Sequence, residues 1–260
     1  MEQLPKWADL IVVPLVGLIL AFILSMLMVL ATGHDPLDAL KLMVSGALGS
    51  TYGWGYTLYY ATNFIFTGLA VAVAFHASLF NIGGEGQAAI AGVGVTLIML
   101  AVDWPHWTIA LLVGTLAAMI FGAAYAAIPA YLQVKRGSHI VITTIMFNLI
   151  ATSIIGYLLV GPLQATGSLP ESPRFPEAAK LPSLHEILAL VGIEFDKYAP
   201  ANITFLLALI ASVFVWLLIW KSRLGYEIRA FGNSEKAAVY AGISPVKITM
   251  VAMLISGALA

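Results

Sequence analysis

The sequence predicts an all-α protein, a polytopic transmembrane helical bundle with a discontinuous or re-entrant helix near residues 81–87. Three observations carry that expectation. The 260 residues are 61% hydrophobic and only 10% charged, whereas a soluble domain uses roughly 25% charge to cover itself with a wet surface. Apolar runs close to the ~20 residues that cross a bilayer recur along the chain. Between two of these runs stands Leu79-Phe80-Asn81-Ile82-Gly83-Gly84-Glu85-Gly86-Gln87, with three glycines in four positions and an acid among them.

Composition also excludes function classes. Mean hydropathy is +0.96. Cysteine is absent, which removes disulfides and thiolate metal sites. The histidines, at 34, 76, 106, 139 and 185, show no paired metal-ligand spacing, so no metal site is expected. A net charge of −1 argues against nucleic acid as a partner.

The first span runs Ile11 to Ala31. It is longer than the 7–15 residue apolar region of a cleaved signal and lacks a small-residue cleavage site, so it reads as an anchored helix. Pro14 and Gly17 bend its start. From Thr32 to Tyr56 the pattern is mixed. Asp35-Pro36 signals a cap, and Leu37, Leu40, Val44 and Leu48 recur at helical spacing beside Asp38 and Lys41, which predicts a short helix in the interface. Gly46 to Gly55 breaks that helix. Tyr52, Trp54, Tyr56, Tyr59 and Tyr60 then form an aromatic belt, anchors rather than a ligand box.

Thr57 to Phe80 is a span carrying Asn63 and His76, which either bond to neighbouring helices or line a cavity. Ala88 to Val102 has only 15 residues. At 1.5 Å per residue it covers about 22 Å and cannot cross alone. Residues 81–87 must add depth. There the glycines let the backbone leave the helix, and a break inside a bilayer is tolerated only where protein or a watery cavity satisfies the freed groups. Glu85 at depth costs at least about 2.5 kcal/mol unless paired or hydrated. The helix resuming at Ala88 aims its partly positive start at Glu85 and Gln87. Two readings stand: a broken helix of the kind transporters use, or a short cytoplasmic turn with an ordinary surface Glu.

Thr108 to Leu132 is a full span in which Gly114, Ala118, Gly122 and Ala126 make a small-residue face for close helix packing. Ile140 to Val160 follows, with Thr144, Asn148 and Thr152 stacked every four residues: glue between helices, or the wall of a polar path. Residues 161–200 form a proline-rich connection in which Ser183 to Val191 predicts a short helix capped at Ser183 with Glu186 in support. Ile203 to Trp220 is the next span, followed by a basic loop over 221–247. A final apolar run, Ile248 to Ala260, is too short to cross, so the intact protein is expected to continue with further helices.

Lys and Arg placement orients the chain. With the N-terminus inside, the inner side receives Lys6, Lys135, Arg136, Lys221, Arg223, Arg229, Lys236 and Lys247, against Lys41, Arg174, Lys180 and Lys197 outside. This makes 161–200 an external loop and 221–247 a cytoplasmic loop. In the latter, Asn233 or Ser234 caps a helix of about two turns that Gly242 ends. It is too short to hold itself together in water. Its Ala237, Ala238 and Ala241 offer a smooth face, either for a cytosolic protein or for the lipid surface.

These stretches carry a resemblance. Phe80-Asn81-Ile82-Gly83-Gly84-Glu85-Gly86-Gln87, Arg229-Ala-Phe-Gly-Asn-Ser-Glu-Lys-Ala-Ala-Val-Tyr-Ala-Gly-Ile243 and Ser256-Gly-Ala-Leu-Ala260 resemble the permease subunit of ABC importers. The group is the branched-chain amino acid and ribose permease family, nearest its nucleoside and simple-sugar branch. The likeness covers Thr57 to the end. It implies a single permease domain over 1–260 in a bacterial cytoplasmic membrane. It also implies a coupling helix in which Arg229, Asn233, Glu235, Lys236, Ala237, Ala238, Gly242 and Ile243 meet a cytosolic ABC ATPase. A second permease subunit and an extracytoplasmic solute-binding protein complete the implied assembly.

Asn63, Asn81, Glu85, Gln87, Thr144, Asn148 and Thr152 are the candidate substrate path, suited to a hydroxylated solute; the resemblance favours a nucleoside over a simple sugar. No Gly-x-x-x-x-Gly-Lys-Ser/Thr occurs, so ATP belongs to the partner and this chain needs no cofactor. The alternative is a secondary transporter coupled to protons through Glu85 and His76. An intramembrane enzyme is disfavoured, because no nucleophile–base pair or metal-ligand set accompanies Glu85.

Overall fold

A computed structural model describes residues 11–167 and 169–260, and among them the structure is all-α, with a lone antiparallel bridge between Ser183 and Asn202. Lys6, one of the cations used for orientation, lies outside the described residues. The chain forms two compact units, one reaching Thr57 and one from Leu58 to Ala260.

In the first unit, α1 (Val13–Ala31) buries none of its side chains within the chain, as an apolar helix facing lipid does. The Asp35 carboxylate accepts from the Leu37 amide at 2.8 Å and caps α2 (Pro36–Leu48). The glycine-rich break is shorter than the expected Gly46–Gly55. Only Gly49 and Ser50 separate α2 from α3 (Thr51–His76), because the Ser50 hydroxyl accepts from the Gly53 amide at 3.0 Å and starts the next helix early.

The second unit holds most of α3, then α4 (Gly84–Ala101), α5 (Trp107–Arg136), α6 (Ile140–Val160), a 3₁₀ turn at Glu177–Ala179, α7 (Leu184–Ala189), α8 (Thr204–Lys221), α9 (Arg223–Asn233), α10 (Glu235–Tyr240) and α11 (Pro245–Leu259). Among the described residues, six helices (α1, α3, α4, α5, α6 and α8) are long and apolar enough to cross a membrane. The chain is a multi-pass membrane protein. α4 gains its length by starting at Gly84, so residues 84–87 supply the missing turn. The capping box at Ser183 and Glu186 forms as read from the sequence.

Two apolar clusters mark opposite ends of α5. At its start, Ala110 packs with Met99, Trp104 and Ala179, tying the 3₁₀ turn of the 161–200 segment to that end. Near its finish, Ala130 joins Val73, Leu79, Ile219, Ile228, Phe231, Ala238 and Ile248. That second cluster draws the ends of α3 and α8 together with α9, α10 and the start of α11. Twenty residues separate Ala110 from Ala130, about 30 Å of helix. Between the clusters, the small-residue face of α5 meets α11. A Cβ on Gly122 would sit 2.1 Å from the Gly257 carbonyl oxygen, and Ala126 is fully buried beside it. Only glycine permits that approach. Ala118, expected on the same face, is half-buried.

The loop expected over 221–247 is mostly helix. The Ser222 hydroxyl caps α9 by accepting from the Gly225 amide at 2.9 Å. Leu224, Ile228 and Phe231 put an apolar stripe on its inner side, with Ile228 and Phe231 buried.

Candidate functional site

α3 stops at His76, and a seven-residue connection, 77–83, carries the chain to α4. Ser78 takes φ +54°, the left-handed region unusual for a residue with a side chain. None of Gly83, Gly84 and Gly86 has a positive φ. What they supply is room: a Cβ on Gly86 would meet the Asn148 side-chain oxygen at 2.9 Å.

Asn81 and Gln87, only 4% and 1% exposed, face each other across the break. The Asn81 amide nitrogen donates to Gln87 Oε1 at 3.0 Å, and Gln87 Nε2 returns a bond to Asn81 Oδ1 at 3.2 Å. Asn81 Nδ2 also donates to the Ser256 hydroxyl on α11 at 2.9 Å, and Ser256 donates to the Ala70 carbonyl on α3 at 2.7 Å. Asn81 Oδ1 accepts from the Gly83 amide at 2.9 Å as well. One buried amide pair therefore joins α3, the break, α4 and α11. Such a network, with its groups paired, rigidifies what it joins.

The stripe on α6 clamps the same break from the other side. Asn148 Oδ1 accepts from the Gly86 amide and its Nδ2 donates to the Ile82 carbonyl, each at 2.9 Å. Thr144 Oγ1 accepts from the Ile82 amide at 3.3 Å and donates to Ile140 O at 2.8 Å. Backbone groups freed by leaving the helix are satisfied here by side chains of a neighbouring helix. Thr144 and Asn148 thus make the interhelical bonds that the reading of the stripe as glue requires. Thr152 is exposed and, among the described residues, bonds only back to Asn148 O at 3.1 Å. Ser256, which the sequence offered only as the start of a motif, is the member of this network that residue-by-residue reading missed.

Glu85 sits in the first turn of α4, exposed and in no hydrogen bond or ion pair among the described residues. The helix start does not grip its carboxylate. Asn63 is likewise exposed, on α3. His76 Nδ1 donates to the Ala72 carbonyl at 2.7 Å and its ring stands edge-on to Trp220 at 5.9 Å, so it is tied to its own helix and to α8.

α9 and α10 lie at the end of the bundle where the break is. Ser78 donates to the Gly232 carbonyl at 2.8 Å, and a Cβ on Gly232 would stand 2.1 Å from the His76 carbonyl oxygen. α9 thus presses its last turn on the end of α3. Glu227 on α9 bonds Lys247 of α11 at 3.0 Å and Arg223 at 3.2 Å. The Lys247 ammonium, then Arg223, hold its carboxyl below the usual range.

Ser234, not Asn233, caps α10 by accepting from the Ala237 amide at 3.3 Å, and Gly242 ends it at φ +79°. Ala238 does not belong to the outward face. It is 2% exposed and sits in the chain's own core, because the capped helix turns it towards Ile228 and Phe231's cluster. Glu235, Lys236, Ala237, Val239, Tyr240 and Ala241 are exposed, and Ile243 is half-buried. Arg229 turns back onto Trp220, its guanidinium 4.6 Å from the ring centroid.

Comparison with known proteins bears on this arrangement. Residues 53–260 match the family described as branched-chain amino acid transport system, permease component. The chain is 34% identical over 249 residues to a glucose ABC transporter permease protein of Haloferax volcanii, covering 95% of this chain and 65% of that one. It is 34% identical over 254 residues to a guanosine ABC transporter permease protein of Bacillus subtilis, covering 96% and 69%. A nucleoside ABC transporter permease protein of Lactococcus lactis is 31% identical over 253 residues, covering 96% and 68%. The chain therefore spans 65% to 69% of the lengths of these relatives. No solved structure matches it.

Proposed function

Because the chain belongs to the family of permease components of branched-chain amino acid transport systems, we propose that it is a transmembrane subunit of an ATP-binding-cassette importer. Its cargo is a hydroxylated solute, a nucleoside first and a simple sugar second, the classes named for its relatives. Its place is a bacterial cytoplasmic membrane with the N-terminus inside. It works with a second permease subunit, a cytosolic ATPase and an extracytoplasmic solute-binding protein, and it performs transport rather than a chemical reaction.

The observation that carries the reading is the direct bond between α9 and the connection that leads into the Asn81–Gln87 break. A subunit driven from outside the membrane needs a rigid relay from a surface helix to a movable element at depth. α9 and α10 supply the surface, Ser78 and Gly232 the joint, and the broken helix the moving part. Arg229 and Ala238 face inward, and Asn233 stands beside Arg229 and Trp220 at the ends of α3 and α8, so the ATPase contact falls to Glu235, Lys236 and Ala237, with Gly242 and Ile243 turning the chain into α11. With Asn81, Gln87, Thr144 and Asn148 holding the break in shape, Asn63, Glu85 and Thr152 are the polar side chains left to line a path.

Uptake by sealed vesicles carrying the assembled complex tests this. Labelled guanosine or glucose should accumulate only with ATP and loaded binding protein, and a protonophore should leave the rate unchanged. Uptake driven by a pH gradient without ATP would instead favour proton coupling.

A further inference from the structure

Where α3 and α8 both stop, a cleft of about 360 Å³ opens between them and α9. Phe75, His76, Ser78, Trp220, Arg229 and Asn233 line it, and no carboxylate does. Arg229 has its Nε buried without a hydrogen-bond partner and makes no ion pair among the described residues. The contrast with Arg223, on the same helix and paired with Glu227, is direct. Guanidinium is a planar fork of donors that cannot lose its charge. The Arg229 guanidinium carbon lies 4.6 Å from the Trp220 ring centroid, a cation–aromatic contact that uses none of its N–H donors. His76 spends its Nδ1 proton on the Ala72 carbonyl and is not counted among the donors; the Ser78 hydroxyl is likewise committed, to Gly232 O. Asn233 adds an exposed amide at the rim. The cleft offers a cation and donors with no anion of its own. It suits a group with several negative oxygens.

Position selects which one. α3 and α8 are membrane-spanning by length and hydropathy, and Trp220 and Lys221 are the last residues of α8. The Lys221 ammonium lies 5.6 Å from the Trp216 ring centroid, a cation–aromatic pair one turn from the end of the span. Aromatics and cations at the ends of spans sit at headgroup level, and basic pockets between membrane helices take headgroup phosphates. We propose that the cleft between α3, α8 and α9 binds the phosphate of an anionic phospholipid, with Arg229 as its principal contact. The lipid would brace α9 against the two helices whose ends it meets. The proposal requires only that the chain is embedded in a membrane, whatever solute it moves.

The test uses the full chain in nanodiscs of phosphatidylcholine alone or mixed with phosphatidylglycerol, followed by native mass spectrometry of the lipid retained after release. The wild type should retain phosphatidylglycerol in preference to phosphatidylcholine. Arg229→Gln should weaken that retention about tenfold or more, the size of a lost charge-assisted hydrogen bond. Asn233→Asp, a substitution on an exposed side chain, places an anion at the rim and should weaken it too; it keeps the test decisive if Arg229→Gln fails to fold. Equal retention by the wild type and the folded variants overturns the proposal, and is the result expected if a protein carboxylate fills the cleft instead. Displacement of the lipid by millimolar inorganic phosphate, equally in both lipid mixtures, reassigns the site to free phosphate and overturns the lipid assignment.

Discussion

Ser78 Oγ donates a 2.8 Å hydrogen bond to the carbonyl oxygen of Gly232, joining residues 154 positions apart in the chain. Ser78 holds φ +54° to make it, and Leu79 and Asn81 follow at once into the core and the amide network. One side-chain hydrogen bond, together with the packing of Gly232 on the His76 carbonyl, thus ties α9 to the connection that leads into the break.

Ser78→Ala removes the side-chain half of that joint and leaves the packing of Gly232 on His76. A net hydrogen bond contributes about 0.5–1.5 kcal/mol, so the protein should insert and assemble at normal levels. The coupling should suffer: stimulation of ATPase activity by loaded binding protein is expected to fall several-fold in the reconstituted complex. Unchanged stimulation would show that α9 does not signal through this bond.

Asn148 satisfies both the Gly86 amide and the Ile82 carbonyl. Asn148→Leu removes the partner of both; the Gly86 amide belongs to a buried residue, where an unpaired group costs about 1–3 kcal/mol, whereas Ile82 is exposed. The amount of assembled protein in the membrane should drop in parallel with uptake. Reduced uptake with undiminished protein would return Asn148 to the solute path.

Much of this architecture is legible in the sequence, for reasons that differ by element. α6 is bounded as expected, at Ile140 and Val160, because composition alone separates lipid from water. The cap of α7 is legible because Ser183 and Glu186 bond within one turn. α9 is not, since its charges hide the stripe of Leu224, Ile228 and Phe231, which buries only against other elements. The function of the α6 stripe was undecidable for the same reason. Thr144, Asn148 and Thr152 stand in register whether they face a path or a backbone, and the backbone that Thr144 and Asn148 bond comes from 62 residues earlier. Ser256 lies 175 residues from Asn81, beyond any local pattern.

Glu85 is exposed and unpaired among the described residues, so its charge is not needed to hold α4. Glu85→Gln should leave protein abundance unchanged and retain much of the uptake, with the same pH profile. Complete loss of uptake at normal abundance, or a flattened pH profile, would mean that Glu85 carries protons.

Glu227 links α9 to α11, and Lys247 followed by Arg223 lowers its pKa below that of a free carboxylate. The unfolded chain binds a proton more readily than the folded one does. The link therefore contributes its full stability above the ordinary Glu range near about 4.3 and loses it as pH falls through the depressed folded value. Hydrogen exchange in α9 should be unchanged from neutral pH to about 5, after correction for intrinsic rates, and should rise in more acidic buffer. Glu227→Gln should remove that acid-dependent step; its persistence in the variant would assign the step to another group.

The surface of α10 gives the sharpest test of the proposed ATPase contact. Glu235–Tyr240 is too short to be stable alone, and its core-facing Ala238 is what anchors it. Ala238→Arg would force a long cation into that core and unfold the element, so its phenotype would say nothing about a partner. Ala237 is the informative position, exposed one residue away, with Tyr240 96% exposed on the last turn. Large exposed aromatics are favoured anchors of protein contacts, and small neighbours allow close approach. Ala237→Arg should leave insertion and folding intact while abolishing ATPase stimulation by loaded binding protein. Tyr240→Ala should weaken co-purification of the ATPase by a cost of about 1–2 kcal/mol, roughly five- to thirtyfold in affinity. If both variants retain the ATPase, its stimulation and uptake at wild-type levels, α10 is not the coupling surface.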